Sequence, residues 1–262
     1  MENLGIVSIV MPMYNCAEFV AQSIESVQAQ TYPYWELLVV DDLSTDNSVA
    51  IVEEYAKKDS RIRLLQNPKN SGAALSRNYA IREATGRWVA FLDSDDLWLP
   101  EKLAKQVPFM ANNGYHFSYT QYREMDDNGV HTGVMLTGPK KVTKAMMFAY
   151  NYIGCLTVMY EREFVGLVQI PDLKKRNDYA LWLKVIKHCT CYLLPELLAE
   201  YRVRSSGSVT NRKAGVLAII KHYYIMYRES EGMGPVRAFL QTGINLFFGA
   251  LKKLFYRKKD IK

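Results

Sequence analysis

Cysteine is scarce in this chain, four residues in 262, at Cys16, Cys155, Cys189 and Cys191. Their scattered spacing offers no disulfide framework and points to a reducing compartment. Cys189 and Cys191 make a C-x-C, but a zinc site needs a second pair or nearby histidines, and His188 alone does not supply it. Long apolar runs are missing too. No stretch approaches the roughly 18 to 20 apolar residues that cross a bilayer. The segment Met1 to Asn15 lacks a basic n-region and a small-residue cleavage site, so Ile6–Met11 is expected to be a first strand and not part of a signal peptide. The glycine signatures of two nucleotide-binding classes are absent: no G-x-G-x-x-G follows the first apolar run, and there is no P-loop. Basic charge is thin in the body. Of the formal net charge of +6, Lys252 to Lys262 alone carries +5, six basic residues against Asp260. A nucleic-acid binder carries its basic stripe through the folded body, so no nucleic-acid partner is expected.

What is present is an ordinary globular composition, 49% hydrophobic and 23% charged, long enough for one large α/β domain with an appendage. Apolar runs at Ile6–Met11, Glu36–Val40, Arg61–Leu65 and Trp88–Leu92 alternate with helical patterns at Ala17–Gln30, Asp46–Lys58 and Gly72–Ala84. Near-continuously apolar strands between amphipathic helices predict a mostly parallel central sheet with helices on both faces. From about Tyr115 the strands become shorter and more aromatic, at Tyr115–Tyr122, Cys155–Tyr160, Cys191–Pro195 and Leu198–Arg202. Helices are expected from Asp178 to about His188 and from Arg212 to Arg228.

Ligands of such sheets sit beyond the carboxyl ends of the strands. Those ends carry Pro12-Met13-Tyr14-Asn15, Asp41-Asp42 and Asp93-Ser94-Asp95-Asp96. Asp93 and Asp95 form a D-x-D on a tight turn. Two such carboxylates repel unless a cation lies between them, and their hard oxygens suit Mn²⁺ or Mg²⁺ shared with substrate phosphates. A solvated turn, with Asp95 or Asp96 capping the helix after Pro100, is the plainer alternative. Asp42 suits an imide N–H such as N3 of uracil. Asp46 is better placed to cap the following helix, which is expected to leave Asp42 free.

Taken together, Ser8 to Asn15, Val39 to Asp46, Asn70-Ser71-Gly72 with Ser76-Arg77-Asn78, and Phe91 to Asp96 resemble the family 2 glycosyltransferases in order and spacing. The resemblance implies a GT-A fold, a UDP-sugar donor and inversion at the anomeric carbon. It places Pro12, Tyr14 and Asp42 in a uracil pocket, Asp93 with Ser94 at the ribose side of the nucleotide, Asp95 with Asp93 at the metal, and Arg77 in support of the nucleotide loops. A helix-surface charge is the other reading of Arg77. In the second half, Arg176-Asn177-Asp178 resembles the family's acidic pair. Asn177 stands where glutamate is common, so the catalytic-base role falls to Asp178. Trp182 is read either as a wall of the acceptor site or as core. Tyr201 to Ser208 resembles the loop that closes over the donor, with Arg204, where histidine is common, clamping the diphosphate. The Q-x-x-R-W signature of processive synthases is absent, which implies addition of a single sugar.

The expected organisation is a catalytic domain over 1–210, with a nucleotide-binding half 1–112 and an acceptor-binding half 113–210, then C-terminal helices over 211–262. In the last segment Val236, Phe239, Leu240, Ile244, Phe247, Phe248, Leu251, Leu254 and Phe255 share one helical face, with Arg237, Gln241, Asn245 and Lys252 on or near the other. With the basic end, this is the pattern of a peripheral helix on an anionic membrane, or of a helix packed on the protein. The membrane reading implies a polyprenyl-diphosphate-linked saccharide acceptor and a cytoplasmic enzyme on the inner face of the membrane. Two rivals stand beside it. A nucleotidyltransferase would open with a glycine-rich basic loop where Pro12 to Asn15 stand. A non-catalytic nucleotide-sugar-binding module would not need Asp93, Asp95 and Asp178.

Overall fold

The computed structural model describes residues 2–205 and 215–259. The first part alternates strand and helix: β1 (Val7–Met13), α1 (Val20–Gln28), β2 (Trp35–Asp41), α2 (Ser48–Lys58), β3 (Ile62–Gln66), α3 (Gly72–Glu83) and β4 (Trp88–Phe91). β1, β2 and β4 are nearly continuously apolar because both faces are covered. Ile9, Met11, Leu37 and Val39 face one core layer, and Val10, Leu38, Val40 and Phe91 face the other. In α1 the buried residues are Val20, Ser23, Ile24 and Val27, the i, i+3, i+4, i+7 stripe of a helix lying on a sheet.

The second part adds β5 (Leu97–Trp98), α4 (Lys102–Asn113), β6 (Phe117–Met125), β7 (His131–Leu136), β8 (Lys141–Val142) and α5 (Lys144–Ala149). A 3₁₀ turn at Cys155–Thr157, β9 (Met159–Glu161), α6 (Arg162–Val165), α7 (Asn177–Val185) and β10 (Cys191–Arg202) follow. The chain closes with α8 (Val216–Glu229), α9 (Pro235–Phe255) and β11 (Arg257–Lys259). One sheet runs β11-β7-β6-β9-β4-β1-β2-β3, with β10 beside β6. β3, β2, β1 and β4 are parallel, as is the β6–β10 pair, while β7, β9 and β11 enter antiparallel.

Three expectations change. The separate strands at Cys191–Pro195 and Leu198–Arg202 are one strand, with register shifts between Leu194 and Ala199 that absorb Pro195. The expected strand at Cys155–Tyr160 begins as a 3₁₀ turn. The C-terminal segment, expected to be helical over 211–262, ends in β11, which pairs Arg257 to Lys259 with Leu136 to Val134.

Helix α9 is packed polar side inward. Ala238, Thr242 and Asn245 are buried, whereas Val236, Phe239, Leu240, Ile244, Phe247 and Phe255 are exposed. The carbonyls at the end of α5 explain the inward side, since a helix leaves its last C=O groups without intrahelical partners. Gln241 donates to the Phe148 carbonyl at 2.7 Å, and Tyr227 donates to the same oxygen at 3.1 Å. Tyr179 donates to Met147 O at 2.6 Å, and the Asn245 amide donates to both tyrosine hydroxyls at 3.1 Å. The polar positions of α9 thus supply buried hydrogen bonds beneath α7, with Asn245 Oδ1 itself left unpartnered.

Candidate active site

The loops after β1, β2 and β4 meet at one edge of the sheet, together with the start of α7. All three non-glycine residues with positive φ among the described residues lie in this region: Asn15 (45°), Leu43 (62°) and Arg176 (62°). Such backbone is costly for a branched side chain such as leucine and concentrates at functional sites. Asn15 is locked by its side-chain oxygen, which accepts from Thr45 N at 2.7 Å, and by its own amide, which donates to Ser44 Oγ at 2.9 Å. Tyr14 beside it is half exposed. Pro12 is buried within β1, past Val10, the last residue of β1 paired with β4, where the prolyl ring supplies no N–H to carry that pairing further.

Asp42 corrects an expectation. It is buried, and its carboxylate accepts from Ser71 N and Gly72 N at 2.7 Å each and from Asn67 Nδ2 at 2.7 Å. It caps α3 from a distant loop, so it is not left free for a ligand as Asp46 was expected to allow. Asp46 holds Ala17 N and Ser48 N, both at 3.0 Å, which ties the loop after β1 to α2. Gly72 has φ +80°, and that conformation aims its amide at Asp42.

The D-x-D turn is pinned from below. Asp96 is buried and accepts from Arg202 N at 2.8 Å, while the Arg202 guanidinium donates to Asp95 O at 2.9 Å and Gln22 Oε1 at 2.8 Å. Neither Asp95 nor Asp96 caps α4, so the capping role of the plainer alternative is not what holds this turn. Ser94 is buried, its carbonyl taken by Ser23 Oγ at 2.9 Å. Arg204 Nη1 lies 3.7 Å from Asp95 Oδ2. Ser206, Gly207 and Ser208 of the expected closing loop lie outside the described residues. Burial, then the neighbouring Asp93, pushes Asp95 up to about 6, and the same causes, with Asp95 added, raise Asp96 well above the carboxylate range. Packed carboxylates that resist ionisation are what a cation relieves, and these are hard oxygen donors suited to Mn²⁺ or Mg²⁺. Among the described residues no group of three or more His, Cys, Asp or Glu stands ready for a metal. Asp93 and Asp95 would therefore hold the ion together with substrate phosphate and water oxygens.

Arg77 joins the two halves. It is buried, not a surface charge, and its guanidinium donates to Asp93 Oδ1 and, at 2.6 Å, to Asn177 Oδ1. Burial opposes its charge, yet Asp93 and more distantly Asp178 hold the guanidinium firmly protonated. The Asn177 amide also donates to Leu173 O at 3.3 Å, which fixes the entry to α7. Asp178, partly exposed in the first turn of that helix, is thereby held within electrostatic reach of the guanidinium that binds the D-x-D end. A neutral Asn177 leaves the charge of Arg77 to the two aspartates. Trp182 is core: fully buried, with its ring edge-on to Phe91 at 5.0 Å. The roles of Arg202 and Asn177 escape sequence reasoning; an arginine and an acid inside the apolar run before Val203 are the only signal for the first.

Residues 8–159 match the family model Glycosyl transferase family 2. The putative teichuronic acid biosynthesis glycosyltransferase TuaG of Bacillus subtilis (strain 168) is 38% identical over 89% of this chain and 91% of its own length. The UDP-Glc:alpha-D-GlcNAc-diphosphoundecaprenol beta-1,3-glucosyltransferase WfgD of Escherichia coli is 39% identical over 79% of this chain and 81% of its own. Among solved structures, S. aureus TarS 1-349 in complex with UDP-GlcNAc superposes with a TM-score of 0.72 at 20% identity, covering 95% of this chain and 73% of TarS 1-349. The mannosyltransferase PcManGT of Pyrobaculum calidifontis, in complex with GDP-Man and Mn²⁺, gives 0.64 at 21% identity, over 91% and 68%. These likenesses agree with the GT-A arrangement of the sheet.

Proposed function

The chain belongs to glycosyl transferase family 2, and from that premise we propose an inverting enzyme of bacterial surface-polysaccharide assembly. It moves one sugar from a UDP-sugar to a hydroxyl of a saccharide carried on a polyprenyl diphosphate. The observation that carries this reading is the Arg77 bridge, which sets the D-x-D carboxylate and the helix of Asp178 at one buried cation. The wording of the relatives' names supports it: WfgD is named for a diphosphoundecaprenol-linked acceptor, and TarS was solved with UDP-GlcNAc.

In this mechanism Tyr14 and Pro12 receive the uracil ring, with the loop that Asp42 holds closed beside it. Asp93 and Ser94 meet the ribose side of the nucleotide. Asp178 takes the proton of the acceptor hydroxyl as its oxygen bonds to the anomeric carbon and the bond to UDP breaks; attack opposite the leaving diphosphate inverts the configuration. Arg204, two residues past the strand that pins the D-x-D turn, balances the diphosphate charge. Mn²⁺ or Mg²⁺ held by Asp93 and Asp95 would supply further neutralisation of that leaving group.

The division into 1–112 for the donor, 113–210 for the acceptor and 211–262 for membrane contact belongs to the same proposal. No helix among the described residues is long and apolar enough to cross a membrane. Peripheral contact with the inner, cytoplasmic face is supported by the outward apolar side of α9 and the exposed Arg257, Lys258 and Lys259. The test is a donor screen reading UDP release with a synthetic sugar-diphosphate-lipid acceptor. Release should stop in excess chelator and return with Mn²⁺ or Mg²⁺, and folded Asp95→Ala should be inactive. Full rate in chelator overturns the metal assignment, and no release with any UDP-sugar overturns the function.

A further inference from the structure

The start of α7 and the middle of α8 press like charges together. Lys174, Lys175 and Arg176 precede Asp178 with only Asn177 between, and the Arg176 guanidinium lies over the Tyr223 ring at 4.5 Å. Tyr223 follows Lys221 and His222, so this contact draws two basic segments onto one another. Burial, then Lys175, Arg176 and Lys221, holds the His222 imidazole below its usual range, and burial with Arg176 lowers Lys175. Positive charge near the other end of α7 is treated differently: Lys184 and Lys187 meet Glu231 at 3.7 and 2.7 Å. Among the described residues no carboxylate lies within ion-pair distance of Lys175, Arg176 or Lys221, and all three reach solvent. A repelling cluster without a counter-charge is stabilised by a bound anion, as paired carboxylates are by a cation.

We infer that Lys175, Arg176, Lys221 and His222 form a subsite for the diphosphate of the acceptor, beside the base. This rests on the glycosyltransferase reading with Asp178 as base. The donor's diphosphate already has the D-x-D end and Arg204. Beside the cluster, α8 carries the exposed Val216 and Leu217 while α9 turns its apolar side outward. A lipid chain on those helices would bring its diphosphate onto the cluster and its sugar hydroxyl toward Asp178. Two dispersed charges are matched by several donors, including the planar fork of Arg176.

The test uses the full chain in neutral detergent micelles and a sugar-diphosphate on a short prenyl chain. Equilibrium binding is measured for the wild type, Lys175→Gln, Lys221→Gln and the double variant. The same sugar on an alkyl chain without diphosphate is the control. Each lost charge should weaken the diphosphate ligand by about tenfold, with the control and UDP binding unchanged. Equal weakening of both ligands, or of neither, overturns the subsite. So does loss of binding to anionic vesicles alone, with micelle binding intact, which would assign the cluster to phospholipid headgroups. If the charge dependence holds while no UDP-sugar is turned over, the subsite stands and the transfer reading falls.

Discussion

Helices α1 and α9 carry equally clear two-sided patterns and seat opposite sides against the protein. In α1, Val20, Ile24 and Val27 go inward, as water outside requires. In α9 it is Ala238, Thr242 and Asn245 that go inward, and five large apolar residues between Val236 and Phe247 face out. A soluble surface rarely leaves so continuous an apolar strip uncovered. The difference teaches that the first half hides its apolar helix faces from water, whereas the C-terminal region leaves one uncovered, the face that the proposed membrane contact would cover. It also divides the chemistry. The groups proposed to meet the donor sit on loops of the parallel sheet, and the proposed base, Asp178, sits on α7, which α9 underpins through Tyr179, the next residue.

The sharpest way to break this division is Asp178→Asn, which keeps shape and removes the proton acceptor. UDP release at saturation should fall about 100-fold or more while UDP-sugar affinity stays within about twofold. A collapse of donor affinity would move Asp178 to the donor side. Next in size is the outward face. Phe239→Glu with Phe247→Glu should reduce co-sedimentation with anionic vesicles by about tenfold or more, with the thermal midpoint unchanged. Retained vesicle binding, or a lowered midpoint, would mean that this side is covered by something other than lipid.

The smallest effects come from a matched glycine pair on α9. A Cβ at Gly249 would meet the Tyr150 ring at 2.8 Å, whereas one at Gly243 meets nothing within 4 Å. Gly249→Ala should therefore destabilise the protein by about 1–2 kcal/mol through overpacking. Gly243→Ala should stabilise it by about 0.5–1 kcal/mol through helix propensity. Denaturant midpoints that move the same way in both variants would mean the helix is not seated polar side inward.

Much of this molecule was legible along the chain because its signals are local. Both-face burial writes itself as continuous apolar strands, so β1 to β4 and the helices between them fall within a few residues of their expected places. The acidic strand ends, Tyr14 and the helix start at Asp178 follow from short motifs in order. Four linked motifs sufficed for the family.

Tertiary structure alone decided which groups are free and which are spent. Asp42 was expected to be open because Asp46 was the nearer cap. It is closed because the start of α3, about thirty residues on, folds its amides onto it. Arg77 read equally as surface or site, since a buried guanidinium differs from an exposed one only through partners such as Asn177, a hundred residues away. A helical period announces that α9 has two faces, but which one meets the protein depends on the α5 carbonyls and the tyrosines waiting beneath it. Periodicity is a property of one segment, and satisfaction of buried polar groups is a property of the assembled whole.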